Sequence, residues 1–353
     1  MAGAISDVAA LAGVSKATAS RALTGRGYVS SETKERVIRA AAEIGYVPSP
    51  IAASLVTGRT KNIGVITPFV GRWFFGEILE GVEAALLDRG YDLTLYNLHP
   101  DSPDRDRVFD YFLARKRFDG MLAIGVETTA DEVERLLRIE RPIVGIGAIQ
   151  GIPCISIDDE TVASDATEHL LTLGHTRIVH LGGIGAEDHP HTVQGRRYAG
   201  FRAAMARAGL GVERAFFTAE LSVPGGYEAA AQLLRDVRTR PTAVFAATDE
   251  LAIGVIIAAR RLGIAVPAEL SVIGIDGHEF AEMFALTTFE QHPQAQGAYA
   301  VSLLLDHLDD HAADPAADSS SATSPAPLAP EPWPTRLVVR SSTTRPDQPP
   351  SVL

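Results

Sequence analysis

The first 60 residues alternate small apolar and polar positions with the spacing of short helices. Ser6 is placed to cap a first helix that runs through Ala12, and Ser15 to cap a second helix over residues 16–23. Gly13 lies in the turn between them, where a larger side chain would crowd the crossing helices. This pattern predicts a helix-turn-helix, a unit whose second helix suits the major groove of DNA.

Beyond residue 61, short apolar runs alternate with amphipathic helical stretches. The runs that predict strands are Ile63–Thr67, Leu93–Tyr96, Gly120–Ile124, Ile143–Ile146, Arg177–Leu181, Ala243–Ala246 and Ser271–Ile275. The stretches that predict helices include Gly76–Arg89, Val162–Leu173, Arg196–Ala208 and Glu250–Leu262. This alternation indicates parallel sheets covered on both faces. Because the units are too many for one sheet, we expect two doubly wound lobes with a ligand crevice at the carboxyl ends of their strands.

Two segments interrupt these patterns. Residues 49–60 offer Ser49 as a cap and Pro50 at the first helical position, so they predict a two-turn hinge helix; a plain flexible linker is the alternative. Residues 309–334 are rich in Ala, Asp, Ser and Pro, which predicts a disordered insertion. The expected organisation is a DNA-binding domain over 1–48, the hinge over 49–60, an effector-binding and dimerisation domain over 61–345, and a tail over 346–353.

Composition narrows the class of protein. Hydrophobic residues make up 46% of the 353, enough for a sizeable core. No apolar run of about 18 residues exists, so no membrane-spanning helix is predicted. A secretory signal is not visible, and the lone Cys154 fits a reducing compartment, so we expect a cytoplasmic protein. Cys154 itself is interpreted as a small buried hydrophobe at the start of a strand.

The charge is unevenly distributed along the chain. The net charge is −12, but residues 1–61 hold eight Lys/Arg and four Asp/Glu, a net +4 that leaves −16 for the remainder. A basic head on an acidic body confines attraction for phosphate to one end. Because four excess charges per head are modest, we expect two heads to act together in a homodimer. No leucine heptad follows the body, so a coiled-coil tetramer is not expected.

The run DVAALAGVSKATASR at residues 7–21 resembles the N-terminal domain of the LacI/GalR family of bacterial transcription regulators. YVS at 28–30 and GYVP at 45–48 extend the match, and a looser resemblance covers nearly the whole chain. The resemblance implies an all-α helix-turn-helix domain, a hinge helix and a two-lobed α/β body like that of periplasmic binding proteins. It also implies a repressor that binds a pseudo-palindromic double-stranded operator as a dimer.

The candidate DNA contacts follow from this resemblance and from side-chain chemistry. Arg21 is the expected base reader, through a contact with guanine worth roughly 1–3 kcal/mol of discrimination. Lys16 and Ala17 occupy the positions that tune operator choice in the family, and the Leu55 position wedges into the minor groove. Hydroxyl side chains on the second helix are expected to hold phosphates. The full set is Ser15, Lys16, Ala17, Thr18, Ser20, Arg21, Tyr28, Ala52 and Leu55.

An aromatic cluster follows the first strand of the body and is the first candidate effector site. Phe69, Trp73, Phe74 and Phe75 belong to it, and aromatic faces stack on the apolar face of a pyranose ring. Trp73 is the favoured stacking residue, and Phe69 and Phe74 are the other two candidates for ligand contact. Ordinary core packing is the alternative for each of the four.

Polar candidates come from three later positions. GRRYAGF matches the family's RxxGF pattern, which implies that Arg197 bonds ligand hydroxyls or carboxylates; a solvated arginine is the alternative. Asp249 and Asp276 follow apolar strands, where a carboxylate can accept paired hydrogen bonds from neighbouring sugar hydroxyls. For Asp249, the alternative is a helix N-cap.

Other functional classes find little support in the sequence. No phosphate-cradling loop, nucleophile elbow or zinc-site spacing is present, so we expect no enzymatic activity, no metal and no cofactor. The expected effector is a small saccharide that releases the repressor from DNA. A purine, nucleoside or phosphorylated metabolite is the alternative effector, and a sugar-binding receptor is the more distant alternative function.

Overall fold

The computed structural model describes residues 4–24, 27–46, 58–100, 102–147, 149, 151–313 and 332–346. Within these ranges the chain forms two compact units, Met1–Asn62 with Arg117–Asp119, and Ile63–Lys116 with Gly120–Leu353. Residues 49–57 of the predicted hinge, with Ala52 and Leu55, lie outside the described residues. So do residues 314–331 of the predicted insertion.

The first unit is a three-helix domain. Its helices are α1 (Ile5–Ala12), α2 (Lys16–Thr24) and α3 (Ser31–Glu43). Gly13 adopts φ 65°, the left-handed conformation that ends α1 and lets the chain turn into α2. The expected crowding of the helices is wrong, because a Cβ at Gly13 would meet no atom within 4 Å. The small core lies where the three helices meet and consists of Val8, Ala9, Ala12, Ala19, Ala22, Val37, Ala40 and Ala41. The predicted helix-turn-helix is therefore confirmed.

Capping explains where these helices begin. Ser15 Oγ accepts a hydrogen bond from the backbone N–H of Thr18 at 3.1 Å, as predicted for the start of α2. The prediction that Ser6 caps α1 is wrong, because that helix begins at Ile5. The Asp7 carboxylate instead accepts from the backbone N–H of Ala4 at 2.8 Å.

The second unit contains two sheets and their covering helices. Its strands are β1 (Asn62–Thr67), β2 (Asp92–Asn97), β3 (Gly120–Ile124), β4 (Ile143–Ile146), β5 (Cys154–Ile155), β6 (Ile178–Gly183), β7 (Phe216–Ala219), β8 (Ala243–Ala246), β9 (Ser271–Asp276), β10 (Thr287–Glu290) and β11 (Arg336–Val338). Its main helices are α4 (Trp73–Asp88), α5 (Ala130–Leu137), α6 (Asp159–Thr172), α7 (Val193–Arg207), α8 (Val223–Leu233), α9 (Asp249–Arg261) and α10 (Pro293–Ala313). A short irregular helical segment spans Arg105–Arg115.

The two sheets define two lobes. The first sheet has the order β2-β1-β3-β4-β5 and the second β11-β10-β9-β8-β6-β7. Central pairs such as β1–β3 and β8–β9 are parallel, and β11 joins β10 antiparallel. The expected two-lobed, doubly wound body is thus confirmed, and all seven predicted strands are present. Strands β7 and β10 were not predicted, because polar residues in FFTA and TTFE interrupt the apolar run by which the equally short β4 and β8 were recognised.

Three chain crossings join the lobes, and Trp333 ties them together. The crossings follow β5, follow β10 and precede β11. From the third crossing, Trp333 donates its indole N–H to the carbonyl of Gln291 at 2.9 Å and its backbone N–H to the carbonyl of Ser156 at 2.8 Å. These bonds fix the crossings beside the space between the lobes. None of the helices in the described ranges is long and apolar enough to span a membrane.

Cys154 begins β5, as predicted, but it is half-buried rather than fully buried. Its thiol contacts the carbonyls of Ile149 and Ile152. Burial raises the pKa of the thiol to about 11, so little thiolate forms at neutral pH. This chemistry fits a structural side chain.

Candidate functional site

The predicted DNA contacts lie on and beside α2 in the first unit. Ser15, Lys16, Ala17 and Arg21 are exposed, whereas Thr18 and Ser20 are half-buried. The α2 residues Ala19 and Ala22 are buried in the core, so the predicted contact residues lie on the opposite, outward face of the helix. This face begins at the N-terminal turn of α2, the end that approaches base edges in helix-turn-helix proteins.

Arg21 extends from this face. Its Nε donates to the carbonyl of Ala17 at 3.2 Å, which anchors the guanidinium along α2. Within the described part of the chain, no carboxylate forms an ion pair with Lys16 or Arg21. Both cations therefore remain available to bases or phosphates.

Tyr28 is 94% exposed, beyond the C-terminal end of α2. So exposed an aromatic side chain contributes little to the stability of the folded domain, which is compatible with the predicted contact to DNA. The hydroxyl groups of Ser15 and Thr18 pair with each other at 2.9 Å. A phosphate held by either hydroxyl would compete with that bond.

In the second unit, a cavity of about 160 Å³ lies between the two lobes. Its walls come from the segments that follow the carboxyl ends of parallel strands in both sheets. This is the position where doubly wound folds bind ligands. Four predicted effector residues line the cavity: Phe69, Phe74, Arg197 and Asp276.

One wall of the cavity is aromatic. The rings of Phe69 and Phe74 each meet the ring of Phe75 edge-to-face at 5.7 Å. The guanidinium of Arg72 lies 3.6 Å from the centroid of the Phe69 ring. These contacts hold the rings in place, so the apolar wall exists before any ligand arrives.

Trp73 lies elsewhere, against the expectation that it stacks on the ligand. It is not among the residues that line the cavity. Its ring instead stacks on the ring of His278 at 4.5 Å and 27°, joining the start of α4 in the first lobe to the loop after β9 in the second. As the first residue of α4, Trp73 points away from the wall that Phe74 and Phe75 form.

Arg197 is buried on α7, only 4% exposed, so the alternative of a solvated arginine is wrong. Its Nε donates to Oδ1 of Asp159 at 2.8 Å, and its Nη1 donates to the carbonyl of Ala247. Nη1 also lies 3.9 Å from Oδ1 of Asp276. Because protein acceptors hold the guanidinium, it forms a fixed, partly neutralised edge of the cavity.

Asp276 ends β9 at the opposite side of this edge. Its φ of 138° is a strained conformation for a residue with a Cβ, and strain of this kind is concentrated at functional sites. Gln291 Nε2 donates to its Oδ1 at 2.7 Å. Burial raises the pKa of Asp276 well above its ordinary value, and the nearby Asp249 raises it further against the effect of Arg197.

The prediction that Asp249 binds the ligand does not fit its position. Its carboxylate is fully buried away from the cavity lining. It accepts from the backbone N–H groups of Gly277 and His278 at 2.9 and 2.8 Å, and from the Thr288 hydroxyl at 2.7 Å. The alternative, a helix N-cap, is also wrong, because Thr248 caps α9. Asp249 organises the loop that carries Asp276.

Several lining residues escaped the sequence analysis. They are Arg72, Gln194, Glu250, Gln291 and Gln296. All of them except Gln194 follow a strand within six residues, the only signal that marked them, whereas Gln194 lies eleven residues beyond the end of β6. No group of three or more His, Cys, Asp or Glu side chains in the described chain is arranged to hold a metal ion.

Comparison with known proteins gives two family matches. Residues 4–49 match bacterial regulatory proteins of the lacI family, and residues 167–343 match the periplasmic binding protein-like domain. The HTH-type transcriptional repressor PurR of Serratia proteamaculans is 36% identical over 312 residues, covering 86% of this chain and 90% of that protein. The ribose operon repressor of Escherichia coli is 33% identical over 309 residues, covering 86% and 92%.

A solved structure extends the likeness to the whole fold. The lac repressor dimer bound to operator and the anti-inducer ONPF superposes with a TM-score of 0.81 at 24% identity, covering 98% of this chain and 100% of that one. The helix-turn-helix, the two-lobed body and the extent of the sequence matches agree. This chain belongs to the LacI family of bacterial regulatory proteins, DNA-binding regulators of transcription.

Proposed function

We propose that the protein is a repressor that binds a pseudo-palindromic operator as a homodimer. The observation that carries this proposal is the exposed face of α2, where Lys16 and Arg21 are free of carboxylate partners among the described residues. The +4 charge of residues 1–61 is modest for one head, and two heads would double the attraction for phosphate. A protein with this role would act on chromosomal DNA in the cytoplasm.

The proposed effector is a small saccharide that binds between the lobes and releases the DNA. The aromatic wall offers apolar faces to a sugar ring, while Asp276 and the glutamine side chains beside it offer hydrogen-bonding groups. A ligand that contacts both lobes can shift the equilibrium between two arrangements of the lobes only by binding one arrangement more tightly than the other. We infer no catalytic role for this cleft.

A purine or nucleoside is the second candidate effector, because a flat aromatic wall also stacks on a nucleobase. Isothermal titration with ribose, glucose, cellobiose, hypoxanthine, guanine and adenosine separates the candidates. Binding of a sugar without binding of the nucleobases supports the first candidate, and the reverse result supports the second.

Operator binding is tested by fluorescence anisotropy on DNA upstream of the protein's own gene and its neighbours, at fixed salt. Arg21→Ala should weaken binding to the preferred fragment by about 10- to 100-fold, the loss of one bidentate base contact. It should leave weak, salt-sensitive binding to unrelated DNA. Arg39→Ala, an exposed arginine on α3, is the matched control and should keep the sequence preference.

Two results would contradict this account. If Arg21→Ala kept full discrimination between fragments, Arg21 would not be the base reader. If the unaltered protein bound no fragment preferentially at low salt, with or without the ligands above, the repressor proposal itself would fail.

A further inference from the structure

The cavity between the lobes carries an excess of acidic side chains. The carboxyl groups of Glu127, Asp159, Glu250 and Asp276 line it, against the guanidinium groups of only two arginines. With all four carboxyl groups ionised the lining would carry a net charge of −2, and burial, which raises the pKa values of Asp159, Glu250 and Asp276, reduces that negative charge. The extent to which the arginines remain available decides whether it can also hold an anion.

Both arginines in the lining already contact protein groups with which an anionic ligand would have to compete. Arg197 is committed to Asp159 at 2.8 Å and to a backbone carbonyl. Arg72 lies over the Phe69 ring and pairs with Glu220 at 3.5 Å from across the cleft. An anion would have to displace one of these protein partners and leave a carboxylate uncompensated in a partly desolvated site.

Glu250 is the carboxyl group best placed to act on a ligand. It follows Asp249 in the first turn of α9 and lines the cavity, and its carboxyl group makes no hydrogen bond with any other described residue. Burial raises its pKa, opposed by Arg72 and reinforced by Glu220. A second negative charge beside this group would meet repulsion, whereas a hydroxyl or ammonium donor would satisfy its oxygens.

We propose that this cleft accepts uncharged or amine-bearing saccharides and excludes phosphorylated and carboxylated ones, with Glu250 as the residue that sets this selectivity. The inference rests on the proposed function, in which a saccharide fills the cleft. It removes the phosphorylated metabolites from the possible effectors of this chain.

The test is isothermal titration with matched pairs: ribose and ribose 5-phosphate, glucose and glucose 6-phosphate, trehalose and trehalose 6-phosphate, with glucosamine as the cationic member. For the pair whose parent sugar binds, the phosphate should bind at least about tenfold more weakly. Glu250→Gln keeps the shape of the side chain and removes its charge, so it should reduce this ratio several-fold. Glu228→Gln, an exposed position on α8, is the matched control and should keep the ratio.

The outcomes separate this inference from the function on which it rests. A phosphate ester that binds as tightly as its parent sugar, or an unchanged ratio in a folded Glu250→Gln protein, overturns the inference. Absence of binding by every member at about 1 mM, the upper end of the usual physiological range, also overturns it. Operator binding by the same preparation would show that the repressor proposal still stands.

Discussion

At the scale of single residues, two carboxyl groups near the ends of neighbouring strands point in different directions. Asp249 and Asp276 both follow apolar strands, yet only Asp276 reaches the cavity. The difference depends on Gly274, because a Cβ there would lie 2.1 Å from Oδ1 of Asp249. The missing side chain makes room for the Asp249 carboxylate inside the lobe. The space that the absent side chain leaves cannot be inferred from the spacing of residues along the sequence.

Asp249→Ala is expected to destabilise the protein by about 3 kcal/mol, because two backbone N–H groups and one hydroxyl would lose their buried acceptor. Urea unfolding followed by circular dichroism measures the change. Asp188→Ala, at an exposed position, is the control and should change stability by less than about 0.5 kcal/mol. Equal stability of the two variants would show that the hydrogen bonds of Asp249 contribute little.

At the scale of elements, hydrophobic periodicity predicted the helices of the body but placed their starts too late. The predicted starts at Gly76, Val162 and Arg196 each fall three residues after the first residue of α4, α6 and α7. The first turns of α6 and α7 contain polar side chains such as Asp159 and Gln194, so they do not follow the apolar period, and α4 begins with three consecutive aromatic residues that obscure it. Capping side chains mark the true starts of α6 and α7, where Asp158 and Thr192 accept backbone N–H groups.

The packing of α4 against α10 depends on two facing glycines. A Cβ on Gly81 would lie 2.0 Å from the carbonyl oxygen of Gln294, and one on Gly297 would lie 2.3 Å from that of Ile78. Gly81→Ala should therefore force the helices apart and cost about 1–3 kcal/mol in urea unfolding. Gly297→Ala should lower the free energy of unfolding by less in the Gly81→Ala protein than in the unaltered protein, because the first substitution has already separated α4 from α10.

Gly76→Ala provides the control on the same helix. No atom lies within 4 Å of a Cβ built there, so the change should be neutral or stabilising by about 0.5–1 kcal/mol through helix propensity. If Gly81→Ala behaved like Gly76→Ala, the close approach of the two helices would not contribute to stability.

At the scale of the whole molecule, one buried histidine links folding to pH. His180 is enclosed by aromatic rings and stacks on Phe245 at 4.5 Å. Its Nδ1 hydrogen-bonds the carbonyl of Phe245 at 3.0 Å, and burial lowers the pKa of His180 to about 3. The unfolded chain takes up this proton near pH 6.5 and the folded chain does not, so stability falls as the pH drops from 6.5 towards 3.

The contribution of His180 to this loss should be about 2 kcal/mol between pH 7 and pH 5, at about 1.4 kcal/mol per pH unit below 6.5. His180→Phe should lose that much less stability over the interval, as measured by urea unfolding at both pH values. His191→Gln, an exposed site, should follow the unaltered protein. The same pH dependence in His180→Phe would assign the acid sensitivity to other groups, such as His278, whose pKa burial lowers to about 4.

The stack between Trp73 and His278 has an optical consequence. The chain contains only two tryptophans, and Trp333 lies at the crossings between the lobes. A Trp333→Phe protein would emit from Trp73 alone, whose indole contacts a ring carried by the opposite lobe. Any separation of the lobes would expose that indole to water and shift its emission to longer wavelength. The protein thus carries its own spectroscopic reporter of cleft opening, which needs no attached dye and no knowledge of the effector in advance.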